Sequence, residues 1–360
     1  MNNHKYVGLD TDQATIIARV EDARGNFIME AAIETSSSSI RQFFKGLDGT
    51  IHVAFEEGTQ AAWFYDVIRP LVADVTVCDG RRNKLIQSGN KADRIDAAKL
   101  TRLLRLGEVH AVYHGERSTR GLKELVHGYE SLVTDTTRAK NGLKAVFRSQ
   151  AIRCRGDLVY SKQEREQWLE KLETEALGAR ASILYEQYDC LTKLRYKAHK
   201  AMTTEARTHP AYKRLKKVSG LGEVRTAQII AVVGSPHRFR TKRQFWPYCG
   251  LAVITRTSSE YEIVDGQRRR KRKQQAQTRG LNRNYNRTLK AVFKGAAATA
   301  IERPPFKQYR QRLIDKGIRP ELALLTVARK IAAITLTIWK KGEEFDPERV
   351  NQAVPGTGKK

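Results

Sequence analysis

Cysteine is scarce in this chain: four in 360 residues, at Cys78, Cys154, Cys190 and Cys249. No C-x-x-C pair occurs, which excludes a zinc ribbon or a disulfide framework and leaves four thiols suited to a reducing compartment. There is no G-x-x-x-x-G-K-[ST] and no G-x-G-x-x-G after a strand, so ATP-driven and nicotinamide chemistry have no motif behind them. No continuous apolar run approaches the roughly 18–20 residues that span a bilayer. Met1-Asn-Asn-His-Lys-Tyr6 lacks the apolar core of a secretory signal, so a cytoplasmic protein without a membrane partner is expected. Acidic charge is also in short supply, 39 Asp+Glu against 66 Lys+Arg, for a net charge of +27.

That surplus is unevenly placed. Residues 1–100 hold 12 Lys+Arg and 14 Asp+Glu, a net of −2, so the remainder carries +29. A near-neutral head on a strongly basic body suggests a chemical domain joined to a polyanion-binding one. Nucleic acid is the favoured polyanion, because no basic amphipathic helix with an aromatic face stands out for a membrane.

The head reads as alternating strands and helices. Tyr6–Asp10, Ala14–Val20 and Phe27–Ile33 form an antiparallel meander around the turn Glu21–Asn26. Ser36–Ser39 precede Ile40–Leu47 and can cap its helix. His52–Glu56 is a strand, Gln60–Leu71 a helix, Asp74–Cys78 a strand, and a helix surrounds Lys91–Leu106. A meander feeding βα units gives a mixed sheet with helices on it, an α/β arrangement of the ribonuclease-H/RuvC type.

Residues 118–205 carry apolar side chains at steps of three and four, from Leu122 to Phe147 and from Leu169 to Ala201. The spacing predicts two long amphipathic helices, an antiparallel coiled-coil hairpin turning near Arg153–Ser161. The body beyond is expected to be mostly helical. Val218-Ser-Gly-Leu-Gly-Glu223 resembles a helix-hairpin-helix turn, where Gly220 and Gly222 would let amides approach a phosphate; a plain tight turn between core helices is the equal alternative. Leu281–Glu302 and Pro320–Gly342 read as helices. Arg268-Arg269-Arg270-Lys271-Arg272-Lys273 is a block of six cations, suited to nucleic-acid phosphates or simply solvated. The boundaries are 1–112 for the acid-bearing domain, 113–207 for the spacer, 208–346 for the C-terminal domain and 347–360 for a tail.

Four acids stand out. Asp10 ends Val7-Gly-Leu, Glu56 ends Val53-Ala-Phe, and Asp93 and Asp96 share a helix face at i,i+3. Together they could meet at one sheet edge. Clustered carboxylates repel, and Mg²⁺ is the hard cation that oxygen donors favour; two such ions about 4 Å apart can stabilise both oxygens of a phosphoryl displacement. Asp12 and Glu57 are the nearest rivals to Asp10 and Glu56. The plainer reading of any one acid is a solvated strand end.

Tyr6-Val-Gly-Leu-Asp10, Val53-Ala-Phe-Glu56 and Asn90-Lys-Ala-Asp93-Arg-Ile-Asp96-Ala-Ala-Lys-Leu resemble the acid tetrad of the DEDD transposases of the insertion-sequence 110 family. Val218-Ser-Gly-Leu-Gly, Arg238-Phe-Arg-Thr-Lys-Arg-Gln-Phe-Trp-Pro-Tyr-Cys-Gly250-Leu and Ser258-Ser259 resemble that family's second domain. The resemblance spans nearly the whole chain. It implies a RuvC-like domain, a coiled-coil spacer and a C-terminal transposase domain with a serine nucleophile. Asp10, Glu56, Asp93 and Asp96 would hold Mg²⁺, and the serine would form a phosphoserine link with donor and target DNA. It also implies a structured non-coding bridge RNA as guide. The family spacing selects Ser258 as nucleophile; Glu260 stands where the family often has glycine, and Ser259 is the alternative. A bacterial or archaeal, nucleoid-associated enzyme is then expected, working as a dimer or tetramer in which one chain's acids face another's serine. The alternatives are a RuvC-like endonuclease or junction resolvase without a covalent intermediate, and a non-catalytic nucleic-acid scaffold.

Overall fold

In the computed structural model, residues 3–80, 92–113, 119–256, 261–264, 267–270 and 277–350 are described. The chain divides into two compact units, 1–114 and 115–360.

The first unit is built on a five-stranded sheet of order β3-β2-β1-β4-β5, with β1 His4–Thr11, β2 Thr15–Asp22, β3 Phe27–Glu34, β4 Thr50–Glu56 and β5 Asp74–Cys78. The meander β1-β2-β3 is antiparallel, and β1, β4 and β5 run parallel. Alternation sorts the side chains. Val7, Leu9, Ile16, Val20, Val53, Phe55 and Val77 face one way, against helices α1 (Ser37–Lys45) and α2 (Ala61–Ile68), and form the main core with Phe44 and Phe64. Ser36 caps α1, accepting from the Ser39 amide at 3.2 Å, as the serine run suggests.

The other face is covered by α3 (Asp93–Leu106), through Leu100 and Leu103 against Ala54 and Cys78. Gly8 lies under this helix. A Cβ there would stand 2.4 Å from the Ala97 carbonyl and 2.5 Å from Thr101 Oγ1. The helix therefore rests on bare β1 backbone. Thr101, fully buried, fastens it: its hydroxyl accepts from the Gly8 amide at 3.0 Å and lies 2.8 Å from the Ala97 carbonyl and 3.2 Å from that of Arg19.

The second unit begins with the antiparallel pair α4 (Arg120–Ser149) and α6 (Glu175–Thr208). The connection is longer than the turn expected from sequence. It runs from 150 to 174, contains the short helix α5 (Arg165–Leu169), and buries a small core of its own around Phe147, Val159, Trp168 and Tyr185. At the other end Leu122, Val126, Met202 and Ala206 join the core of the C-terminal helices. Those are α7 (Tyr212–Lys216), α8 (Glu223–Val233), α9 (Lys242–Tyr248), α10 (Arg287–Ala300), α11 (Phe306–Asp315) and α12 (Pro320–Lys341). Glu130 of α4 accepts from Gln228 at 2.8 Å and from Thr288 at 3.2 Å, tying the hairpin to α8 and α10.

Two departures from the sequence reading lie here. Leu281 ends a strand, and α10 begins only at Arg287, capped by Asn286, because Asn282-Arg-Asn-Tyr-Asn286 favours a turn. By length and composition α12 is apolar enough to cross a membrane, although Arg329 and Lys330 break any continuous run; its face carrying Ala323, Val327, Ile331 and Ala332 is buried in the core. Two small antiparallel ribbons complete the unit: β6 (Val253–Arg256) with β9 (Gln277–Leu281), and β7 (Tyr261–Val264) with β8 (Gln267–Arg270).

Candidate functional site

Asp10 and Glu56 follow Leu9 and Phe55, which pair in parallel register, so their carboxylates leave the sheet at the same end. By alternation both face α3. Asp93 and Asp96 are in the first turn of that helix. Three elements thus bring four carboxylates to one edge. The electrostatics record it. Asp10 is pushed up from 3.8 to about 6, first by burial and then by the charges of Asp93, Asp96 and Glu56; the Thr11 amide opposes the shift. Glu56 is raised as well, by burial, Asp96 and Asp79. The rivals are elsewhere: Asp12 sits in the β1–β2 turn and Glu57 beyond β4, both exposed.

The structure adds three residues the sequence reading missed. Asp79 directly follows β5, its amide donating to the His110 carbonyl at 3.1 Å, and acts on Glu56. It repeats the signal of Asp10 and Glu56, an acid ending an apolar strand. Gly80 leaves room for Glu56, since a Cβ there would lie 2.6 Å from Glu56 Oε2. Lys99 reaches back one turn to Asp96 at 3.2 Å.

All-oxygen donors of this kind suit a hard divalent cation. The side chains are not drawn into a closed ligand set: among the described residues no three His, Cys, Asp or Glu stand close enough to hold an ion. Asp96 instead leans on Lys99. Burial and mutual repulsion disfavour the ionised carboxylates at this edge, and a cation would relieve that cost.

The remaining candidates lie in the second unit. Gly220 adopts φ +86°, and a Cβ there would stand 2.3 Å from the Ala296 carbonyl, so this glycine lets the turn close on α10. Gly222, which precedes α8, has open space around it. The first residue of α8, Glu223, is held by Lys216 at 2.7 Å and Arg207 at 3.0 Å. Arg268, Arg269 and Arg270 are in β8, paired with Ile263, Glu262 and Tyr261. Lys271, Arg272, Lys273, Ser258 and Ser259 lie outside the described residues. The strand leading toward the serines is anchored at its base. Arg329 Nε donates to the Leu251 carbonyl at 2.6 Å, and Trp246 Nε1 donates to the Arg329 carbonyl at 3.1 Å.

Comparison with known families is in register with this geometry. Residues 7–151, which contain all four acids, match a transposase family of the DEDD type, and residues 212–311 match the transposase family IS116/IS110/IS902. No curated protein matches the chain. An acid-edged mixed sheet followed by a basic helical unit, matched in both parts, defines an enzyme of the DNA transposase class. The two matches cover more than half of the chain, and it belongs to the IS110 family of transposases.

Proposed function

We propose that the chain cuts and rejoins the DNA of an insertion sequence through a phosphoserine intermediate, with Asp10, Glu56, Asp93 and Asp96 holding Mg²⁺, two ions in the full site. The observation that carries the reading is the meeting of four acids: Asp10 and Glu56 follow paired residues of parallel strands, beside Asp93 and Asp96 in the first turn of α3. When bound, Mg²⁺ would supply Lewis-acid stabilisation of phosphate oxygens. The chain's own groups do the rest. Asp10, Glu56 and Asp96 are partly buried at the sheet edge, and Gly80 leaves Glu56 its space.

The hydroxyl of Ser258, or of Ser259, forms a bond to phosphorus as the bond from phosphorus to one deoxyribose oxygen breaks. The serine gives up a proton and the leaving oxygen gains one, so no electron, nucleotide or net proton is consumed. Reversal on a second DNA strand rejoins it, in keeping with the missing P-loop. Donor and target DNA, and a structured guide RNA paired to them, would be held by the basic unit, whose cations read backbone while base pairing reads sequence. A homo-oligomer, dimer or tetramer, acting in the cytosol completes the reading.

The test is a covalent trap. Wild-type chain incubated with nicked donor DNA and Mg²⁺ is expected to give a protein–DNA adduct that survives denaturation, and Ser258→Ala to give none. An adduct retained in both Ser258→Ala and Ser259→Ala would remove the serine. Free cut ends with no adduct would support the hydrolytic endonuclease instead. A discrete RNA that co-purifies with the chain would support the guide.

A further inference from the structure

One flank of α3, beside the face that rests on the sheet, lines a groove with β2 and β3. Arg94, Lys99 and Arg102 come from the helix, and Arg19, Glu21 and Glu30 from the strands. Part of this charge is spent internally. Glu21, buried, stands 3.5 Å from Arg19 and 3.8 Å from Arg105. Glu30 pairs with Arg19 at 3.8 Å and with Arg94. Lys99 pairs with Asp96. The two glutamates fix the guanidinium groups in place and still leave positive charge over. Arg94 remains 75% exposed despite its partner. Arg102 is exposed and has no ion pair among the described residues.

This surplus is not a spill-over from the basic body. Residues 1–100 are net −2, yet the groove concentrates cations beside the acids. One helix carries both sets: Asp93 and Asp96 in its first turn, Arg102 nine residues beyond Asp93. At 1.5 Å per residue that separation is about 14 Å along the axis. A DNA strand advances about 3.4 Å per nucleotide, so the span corresponds to roughly four nucleotides. Arginine is the cation best shaped to grip a phosphate.

We infer that the groove between α3 and strands β2 and β3 is a backbone subsite for the DNA strand leading to the carboxylate edge, with Arg102 as its phosphate ligand and Arg94 and Arg19 as its flank. The subsite rests on the proposed reading only in that the acids mark where the strand is cut. Guide RNA has the same phosphates, but the groove adjoins the acids that would act on DNA, so DNA is the occupant.

The test uses the full chain without divalent metal, a 30-base-pair DNA duplex and an RNA duplex of the same sequence. Affinity is measured from 50 to 300 mM salt. Arg102→Gln is expected to weaken DNA binding several-fold near 0.1 M salt and to reduce the slope of log K against log salt by about 0.9, the value for one lost phosphate contact. Arg102→Lys should restore most of it. Arg24→Gln removes the same charge from the exposed β2–β3 turn and should leave the slope unchanged. The inference is overturned if Arg102→Gln behaves as Arg24→Gln, or if only RNA binding falls. An Asp10→Asn chain that still cut DNA would remove the proposed reaction and leave this comparison standing, so the two failures are separable.

Discussion

Asp10→Asn is expected to make the metal-free protein more stable at pH 7 and to abolish strand cutting. The stability half follows from linkage. Asp10 titrates at about 6 in the folded chain against 3.8 ordinarily. The folded state thus binds the proton more tightly than the unfolded one. Stability contributed by the protonated form is present below about pH 4, is lost as pH rises to about 6, and stays lost above. Asparagine cannot ionise and escapes that loss. Asp10 is only half-buried, so solvent screening trims the gain to about 1 kcal/mol. A melt in EDTA at pH 7 should show the variant a few degrees above wild type, with the gap closing at pH 4. The activity half has the opposite sign. Losing one carboxylate from the quartet proposed to hold Mg²⁺ is expected to remove several kcal/mol of transition-state stabilisation, roughly 10³-fold in rate. A variant that is both more stable and inactive separates a functional carboxylate from a structural one. A less stable or fully active Asp10→Asn would contradict the account.

Gly8→Val is expected to damage the first unit severely. Its side chain would begin 2.4 Å from the Ala97 carbonyl and 2.6 Å from the Thr101 amide, both backbone atoms that cannot rotate away. Either α3 lifts from the sheet or β1 bends, at a cost of about 3 kcal/mol. For a unit of this size that is a drop of roughly 10 °C or more in melting temperature. If the helix lifts, Asp93 and Asp96 lift with it, so activity falls together with stability. Thr101→Val is the milder comparison. It keeps the volume but strands the Gly8 amide, an effect of about 1–3 kcal/mol, and Thr101→Ser should recover most of it. Gly8→Val with wild-type melting behaviour would mean that α3 does not rest on β1 as described.

How much of this could be read from sequence follows from how local each signal is. The strands of the first unit alternate apolar and polar residues, and the acids sit where those runs stop, so Asp10 and Glu56 were visible as strand ends. The i,i+3 spacing of Asp93 and Asp96 placed them on one helix face. The seat of that helix was not visible. Gly8 and Thr101 are 93 residues apart, and nothing in Val7-Gly-Leu states that a helix will cross there. Asp79 carries the same strand-end signal as Glu56, one residue beyond the strand Asp74–Cys78. In the second unit the cations of Arg268–Arg270 read as a charged run, because arginine has no strong strand preference; their strand exists through pairing with Tyr261–Ile263. Sequence spacing predicts only a turn where the connection 150–174 lies, since its small core draws Phe147, Trp168 and Tyr185 from three separate stretches.

The claim on which the rest depends is that these carboxylates together bind Mg²⁺. Melting of the full chain at pH 7.5, in EDTA and in excess Mg²⁺, tests it most directly, because an ion that binds only the folded state raises its stability by mass action. Wild type is predicted to gain several degrees from Mg²⁺, with a smaller gain at pH 5, where protons compete. Asp10→Asn and Asp96→Asn are predicted to gain little or nothing. An equal Mg²⁺ response in wild type and both variants would contradict the account.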